Sequence, residues 1–188
     1  LPKCDYLLLA GGLANSFLKA LNFNIGSSLA TESPKTIEKL KQIMLKYRNK
    51  LMLPLDAIVG STYDEHYTRY KRINEIGDNE VILDVGVKTL EKYKTAIKVS
   101  QTIFLNGTMG RYEDNRYSNG TKELFNTLKN ADATIVVGGG DSVSAVKNMG
   151  FVGDFTYLSV GGGATLEYLT KGHLIGIDSI KEEEIEIL

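Results

Sequence analysis

Four clusters of glycine stand where an anion could be held: Ala10-Gly11-Gly12, Asn106-Gly107-Thr108-Met109-Gly110, Gly138-Gly139-Gly140-Asp141-Ser142 and Ser159-Val160-Gly161-Gly162-Gly163-Ala164. Glycine has no Cβ, so backbone N–H groups can approach an anion closely, and a helix that follows adds unpaired donors and the positive end of its dipole. One such turn is ordinary, because a glycine after a strand is more often a tight connection. Several of them, each following a strand pattern, point to a phosphate-bearing ligand at the carboxyl edge of a parallel sheet. Asp141 reads in two ways: as the N-cap of the apolar helix that follows it, or as an oxygen ligand for Mg²⁺ beside phosphates. In the second reading Ser142 is available to a phosphate oxygen. Glu113, three residues past Gly110, reads as a surface acid or as an acceptor for ribose hydroxyls. No cluster matches G-x-x-x-x-G-K-[ST], and Gly11-Gly12 lacks the G-x-G-x-x-G spacing with a later acid, which disfavours the P-loop and dinucleotide templates.

These turns need a scaffold that lines them up, and the pattern between them supplies one. Short apolar runs alternate with helical periodicity, the mark of βαβ units and a mainly parallel sheet. Strands are predicted near Tyr6 to Leu9, Lys50 to Leu53, Ala57 to Val59, Val81 to Leu83, Thr102 to Leu105, Thr134 to Val137 and Thr156 to Leu158. Helices are predicted near Leu13 to Leu21, Pro34 to Arg48, Lys88 to Lys98, Gly120 to Lys129, Ser142 to Met149 and Ala164 to Leu169. Ser33 and Pro34 form a helix start, with Pro where its missing N–H costs nothing. Ser61 to Asn79 is rich in charge and tyrosine and reads as a hairpin or surface excursion. The acidic stretch from Lys181 to Leu188 reads as a solvated tail or as a surface that docks on a neighbour. The expected fold is α/β, a three-layer Rossmann-like arrangement with helices on both faces of the sheet, in one domain over residues 1–188.

Composition narrows the partners. Lys and Arg total 22 against 23 Asp and Glu, so no net field draws the whole molecule to nucleic acid or an anionic membrane. The 188 residues are 43% hydrophobic, with no apolar run long enough to span a bilayer. Cys4 is the only cysteine, so no internal disulfide forms, and His66 and His173 have no zinc-type ligand spacing around them. A reduced, cytoplasmic setting is expected, as is a monomer. The sequence opens on Leu1-Pro2-Lys3 and passes straight into a strand pattern, from which an upstream segment is expected.

At the glycine clusters the sequence resembles the C-terminal, nucleotide-binding domain of phosphoglycerate kinase. That family carries, in order, a GGGMA-type turn, a WNGPMGVFE-type turn, a GGGD turn and an STGGGASLE-type turn. Here they stand as Ala10 to Ala14, Leu105 to Glu113, Val137 to Asp141 and Ser159 to Glu167. Phe17 to Ala20, Leu53 to Asp56, Asp84 to Gly86 and Gly120 to Lys122 are similar as well, so the likeness covers nearly the whole chain. It implies ADP or ATP with Mg²⁺ at the carboxyl edge of the sheet. Gly11 and Gly12 would face the adenosine, Leu83 would line the base, and Glu113, in the turn that Gly110 opens, would bind ribose. Asn106 would lie near the phosphate chain, Asp141 would serve Mg²⁺, and Ser142 would meet a phosphate. Gly161, Gly162 and Gly163 would give N–H groups to the transferring phosphoryl group, where charge neutralisation and positioning do most of the catalysis.

The departures are specific. The family's GGAKV-type turn with its two lysines, and the N-terminal domain that holds 3-phosphoglycerate or 1,3-bisphosphoglycerate, have no counterpart in this sequence. The chain by itself is therefore expected to be incomplete for catalysis. Thr108 and Val87 stand where the family has proline, Val160 replaces the threonine of STGGG, and Ala10 replaces a glycine. Two further readings are a nucleotide-binding module without transfer activity, motivated by Val160 and the absent lysines, and a dinucleotide-dependent oxidoreductase domain, motivated only by the α/β alternation.

Overall fold

The computed structural model describes residues 1–183, so the end of the acidic tail, residues 184–188, lies outside the described residues. The chain gathers into two compact units. The first holds residues 1–101 and 108–132, the second residues 102–107 and 133–188.

In the first unit, strand β1 (Leu7–Leu8) is followed by helices α1 (Gly11–Ala20) and α2 (Pro34–Tyr47) and then by β2 (Leu51–Met52), which lies parallel to β1. Leu9, Ala14, Phe17, Ala20 and Leu40 bury themselves together, with Ile37, Ile43 and Met44 of α2 packed against them. The spacing Ile37, Leu40, Ile43/Met44 is the apolar stripe of an amphipathic helix. Leu18, one residue past Phe17, joins a second core with Ile25, Ala57, Val59, Ile73 and Ile76. Adjacent positions of α1 thus feed two apolar clusters, as a pitch near 100° per residue requires.

The remaining strands of this unit form an antiparallel sheet, β4-β3-β5, from β3 (Asp56–Ser61), β4 (Thr68–Arg72) and β5 (Glu80–Val85). The region predicted as a hairpin or excursion supplies β4, with Ile58 opposite Tyr70. A parallel partner was not available to it, because a parallel crossover needs about a dozen residues or more and the 62–67 connection is shorter. Helices α3 (Val87–Val99) and α4 (Asn119–Lys129) complete the unit. Tyr93 of α3 is buried, and its hydroxyl donates to the carbonyls of Leu9 and Met52, at 2.5 and 3.0 Å.

In the second unit, β6 (Thr102–Asn106), β7 (Thr134–Gly138) and β8 (Tyr157–Ser159) form a parallel sheet in that order, with α5 (Gly140–Asn148), α6 (Gly162–Lys171) and α7 (Ile175–Glu183). Val137, Ala145 and Val146 are fully buried, so β7 and α5 close the core of this unit. The protein is therefore α/β, with helices beside parallel strands and one antiparallel sheet that the alternating pattern did not specify. Helix α7, which the sequence reading left without an element, follows Gly172, whose left-handed backbone ends α6.

Candidate functional site

The parallel register of the second unit sets three of the glycine turns on one edge. Asn106 pairs with Gly138, and Gly138 with Ser159, so all three strands end level. Beyond them lie Gly107, Gly139 and Gly161. Gly139 has φ +98°, a backbone state that a side chain rarely adopts, and an added Cβ would stand 2.7 Å from Asn106 Oδ1. An added Cβ on Gly162 would lie 2.6 Å from the Gly139 Cα. The starts of α5 and α6 therefore touch backbone to backbone, and only glycine permits it. By contrast, Gly163 and Gly140 face open space.

Within this edge the predicted residues divide. Asn106 and Asp141 are exposed. The N-cap of α5 is Gly139, no side chain caps that helix, and Asp141 sits inside the first turn. The N-cap reading of Asp141 is thus corrected: its carboxylate is left facing solvent, with no hydrogen bond or ion pair among the described residues. Ser142 is buried at 1% exposure, and its hydroxyl accepts from the Gly107 N–H at 2.7 Å. That bond ties the turn after β6 to the first turn of α5. Gly161 is the N-cap of α6, again with no side-chain acceptor for the first N–H groups. Val160 is 77% exposed, and the nearby hydroxyls of Ser159 and Thr165 are 3.4 Å apart, Thr165 donating to the Gly161 carbonyl at 2.9 Å.

In the first unit, α1 begins at Gly11 without a side-chain cap. Gly12 packs against Leu29, whose Cδ2 would be 3.4 Å from an added Cβ. Leu29 is 81% exposed, which is unusual for a leucine held in place. Asn15 donates to its carbonyl at 3.1 Å, and Ser16 accepts from the next residue but one, Thr31, at 2.9 Å. The sequence reading passed over Leu29; its only signal was an apolar residue in a polar connection. Leu83 lies on β5, half-buried, and its carbonyl accepts from Arg111 N–H at 2.8 Å, which brings β5 beside the turn holding Gly110 and Glu113. Thr108 closes that turn by donating to the Gly110 carbonyl at 2.9 Å. The hydroxyl does by hydrogen bonding part of what a proline ring would do by covalent restraint. Glu113 is exposed.

Two buried carboxylates that the sequence reading did not single out as site residues act at other helix starts. Asp56 on β3 accepts from the Lys88 and Thr89 N–H groups at 2.9 and 2.8 Å, at the start of α3. Asp84 on β5 accepts from Gly120 N–H at 2.7 Å, at the start of α4. Burial pushes the Asp84 carboxyl up to about 6, with the Gly120 and Val85 N–H groups opposing the shift. Among the described residues no group of three or more His, Cys, Asp or Glu gathers as a metal site, and no helix is long and apolar enough to cross a membrane.

The fold and these turns define an α/β protein whose strand ends carry glycine-rich helix starts suited to an anion. The phosphoglycerate kinase family model matches residues 1–172. The chain belongs to the phosphoglycerate kinase family. It is 38% identical over 184 residues to the phosphoglycerate kinase of Lactobacillus delbrueckii subsp. bulgaricus, covering 97% of this chain and 45% of the relative. The Clostridium botulinum enzyme is 37% identical over 187 residues, with 97% and 46% covered. The solved structure of phosphoglycerate kinase from Coxiella burnetii superposes with a TM-score of 0.85 at 35% identity, covering 94% of this chain and 46% of that one. That from Pyrococcus horikoshii OT3 shares the fold, with a TM-score of 0.74 at 24% identity. The chain spans about half the length of the curated relatives it matches.

Proposed function

We propose that this chain is the ADP/ATP-binding part of a phosphoglycerate kinase, which moves a phosphoryl group between 1,3-bisphosphoglycerate and ADP. The observation that carries the reading is the set of helix starts at α1, α5 and α6 that have no capping side chain and, among the described residues, no side-chain acceptor, each on a glycine turn of the family pattern. Phosphate oxygens would satisfy the donors of α5 and α6, and the start of α1 would face the adenosine. As the family resemblance implies, Gly11, Gly12 and Leu83 would face the adenosine, with Leu29 packed on Gly12, and Gly110 and Glu113 would take the ribose. Asn106 and the N–H groups of Gly161, Gly162 and Gly163 would meet phosphate oxygens. Ser142 would act beside them by fixing Gly107.

Mg²⁺ fits the residues present. Asp141 offers an unengaged carboxylate at the α5 start, and a divalent ion of this kind takes one or two carboxylates together with waters and phosphates. When bound, it would neutralise phosphate charge. The rest of the work belongs to backbone donors held in place before the ligand arrives, which stabilise developing charge without reorganisation. The phosphoglycerate substrates would be held outside the matched span, in the part of the relatives to which this chain has no counterpart. We accordingly propose that the chain by itself binds nucleotide and does not turn over, as a monomer in the cytoplasm and without nucleic acid as partner.

Calorimetric titration with ADP, with and without Mg²⁺, tests this. Metal-dependent binding that weakens at least about 10-fold in Asp141→Ala, roughly 1.4 kcal/mol, supports the reading. Binding of equal strength without metal, or none to the folded chain, removes it.

A further inference from the structure

Asp84 is buried at 1% exposure, and burial pushes its carboxyl up, yet among the described residues it has no ion-pair partner. Its oxygens go to backbone: Oδ2 accepts from Gly120 N–H at 2.7 Å and Oδ1 from Val85 N–H at 2.9 Å. Two glycines make room for it. A Cβ on Gly120 would lie 2.1 Å from Asp84 Oδ1, and one on Gly110 would lie 2.5 Å from the same atom and 2.4 Å from the Leu83 carbonyl oxygen. The neighbouring peptide completes the clamp, since the Leu83 carbonyl accepts from Arg111 N–H at 2.8 Å. On the helix side, Thr121 lends its hydroxyl oxygen to Met109 N–H at 3.1 Å. Strand β5, the 108–113 turn and the first turn of α4 therefore meet at one buried carboxylate.

We infer that Asp84 is a positioning residue for the nucleoside: it fixes the 108–113 turn against Leu83 so that Gly110 and Glu113 are presented in one geometry. This rests on the reading that those residues take the adenosine. The chemistry needs an anion with two acceptors. Two backbone donors converge on the side chain, and an amide would offer one oxygen and set its own N–H₂ against the other donor. A carboxylate with one oxygen on the first turn of α4 and the other on its own strand, packed against Gly110, orders the turn beside it; it does not bind ligand itself.

The test uses the full chain and two variants, Asp84→Asn and Thr121→Val, the second carrying the test if the first does not fold. Amide hydrogen exchange reads the turn directly. The Arg111 amide is expected to exchange about 10-fold faster or more in each variant, a local loss near 1.4 kcal/mol, while amides of β6 and β7 keep their protection. ADP affinity should fall about 10-fold in parallel, while binding of inorganic tripolyphosphate with Mg²⁺, which lacks the nucleoside, stays unchanged. Unaltered exchange across 108–113, or equal weakening of ADP and tripolyphosphate, overturns the assignment. Loosening of the turn in a chain that binds no ADP even as wild type upholds the anchoring and sinks the nucleotide reading instead, so the two failures are distinct.

Discussion

Two sets of helix starts share this chain and are built in opposite ways. Helices α2, α3 and α4 begin on oxygen from a side chain: Ser33 accepts from Thr36 N–H at 3.3 Å, and Asp56 and Asp84 reach from neighbouring strands to α3 and α4. Helices α1, α5 and α6 begin after Ala10, Gly139 and Gly161 with no side-chain acceptor. A cap contributes about 0.5–2 kcal/mol, so three ends without one forgo stability that the other three have secured. On the proposed reading, the difference separates scaffold from site. On that reading a helix start is structural where the chain supplies its own acceptor, and where it does not, the donors would be left for a ligand oxygen.

Removing acceptors at the capped ends should hurt the fold, and at Asp56 and Ser33 it should spare the ligand. The largest effect is expected at Asp56, which is wholly buried. Asp56→Ala leaves the Lys88 and Thr89 donors without a partner and should cost about 3–5 kcal/mol, seen as a lower denaturant midpoint. Asp84 comes next and gives a pH signature. Its folded carboxyl stands at about 6 against 3.8, so the protonated form is favoured by the fold. Its stabilising contribution is complete below pH 3.8 and is lost as pH rises through about 6, an amount near 3 kcal/mol. Subtracting the unfolding curve of Asp84→Asn from that of the wild type should isolate this slope; a flat difference between pH 4 and 6.5 would contradict it. At the uncapped edge, Gly162→Ala should cost about 2 kcal/mol through its collision with Gly139, whereas Gly163→Ala, which faces open space, should leave thermal stability unchanged. Equal melting temperatures for the two variants would mean that the α5 and α6 starts are not in backbone contact. The smallest effect is Ser33→Ala, about 1 kcal/mol, with ADP affinity untouched.

The same division explains what was legible in the sequence. The glycine turns could be read because four of them recur in a fixed order, although each alone is ordinary, and that order pointed to the family. The Ser33-Pro34 start is local chemistry, and the structure shows Ser33 as the cap. Asp56 and Asp84 hid their role, since each caps a helix that begins beyond its own strand, and nothing in a one-dimensional pattern says which helix a strand will lie beside. Of the two readings open for Asp141, the cap fails for a related reason: Gly139, with its left-handed backbone, moves the cap two residues earlier. Strand β4 was read as a hairpin or surface excursion without its pairing, because Thr68 to Arg72 holds three cations and one tyrosine on an edge with little apolar periodicity. Leu29 left almost no trace, for its carbonyl is held by a hydrogen bond from Asn15, fourteen residues away.

The most direct test follows the backbone amides of the chain while ADP and Mg²⁺ are added, by nuclear magnetic resonance. The account predicts that the amides of Gly12, Gly140 to Ser142 and Gly162 to Ala164 shift, and that those of Thr36, Lys88, Thr89 and Gly120, already engaged by side-chain oxygens, stay in place. Shifts confined to the capped starts, or spread equally over both sets, would contradict it.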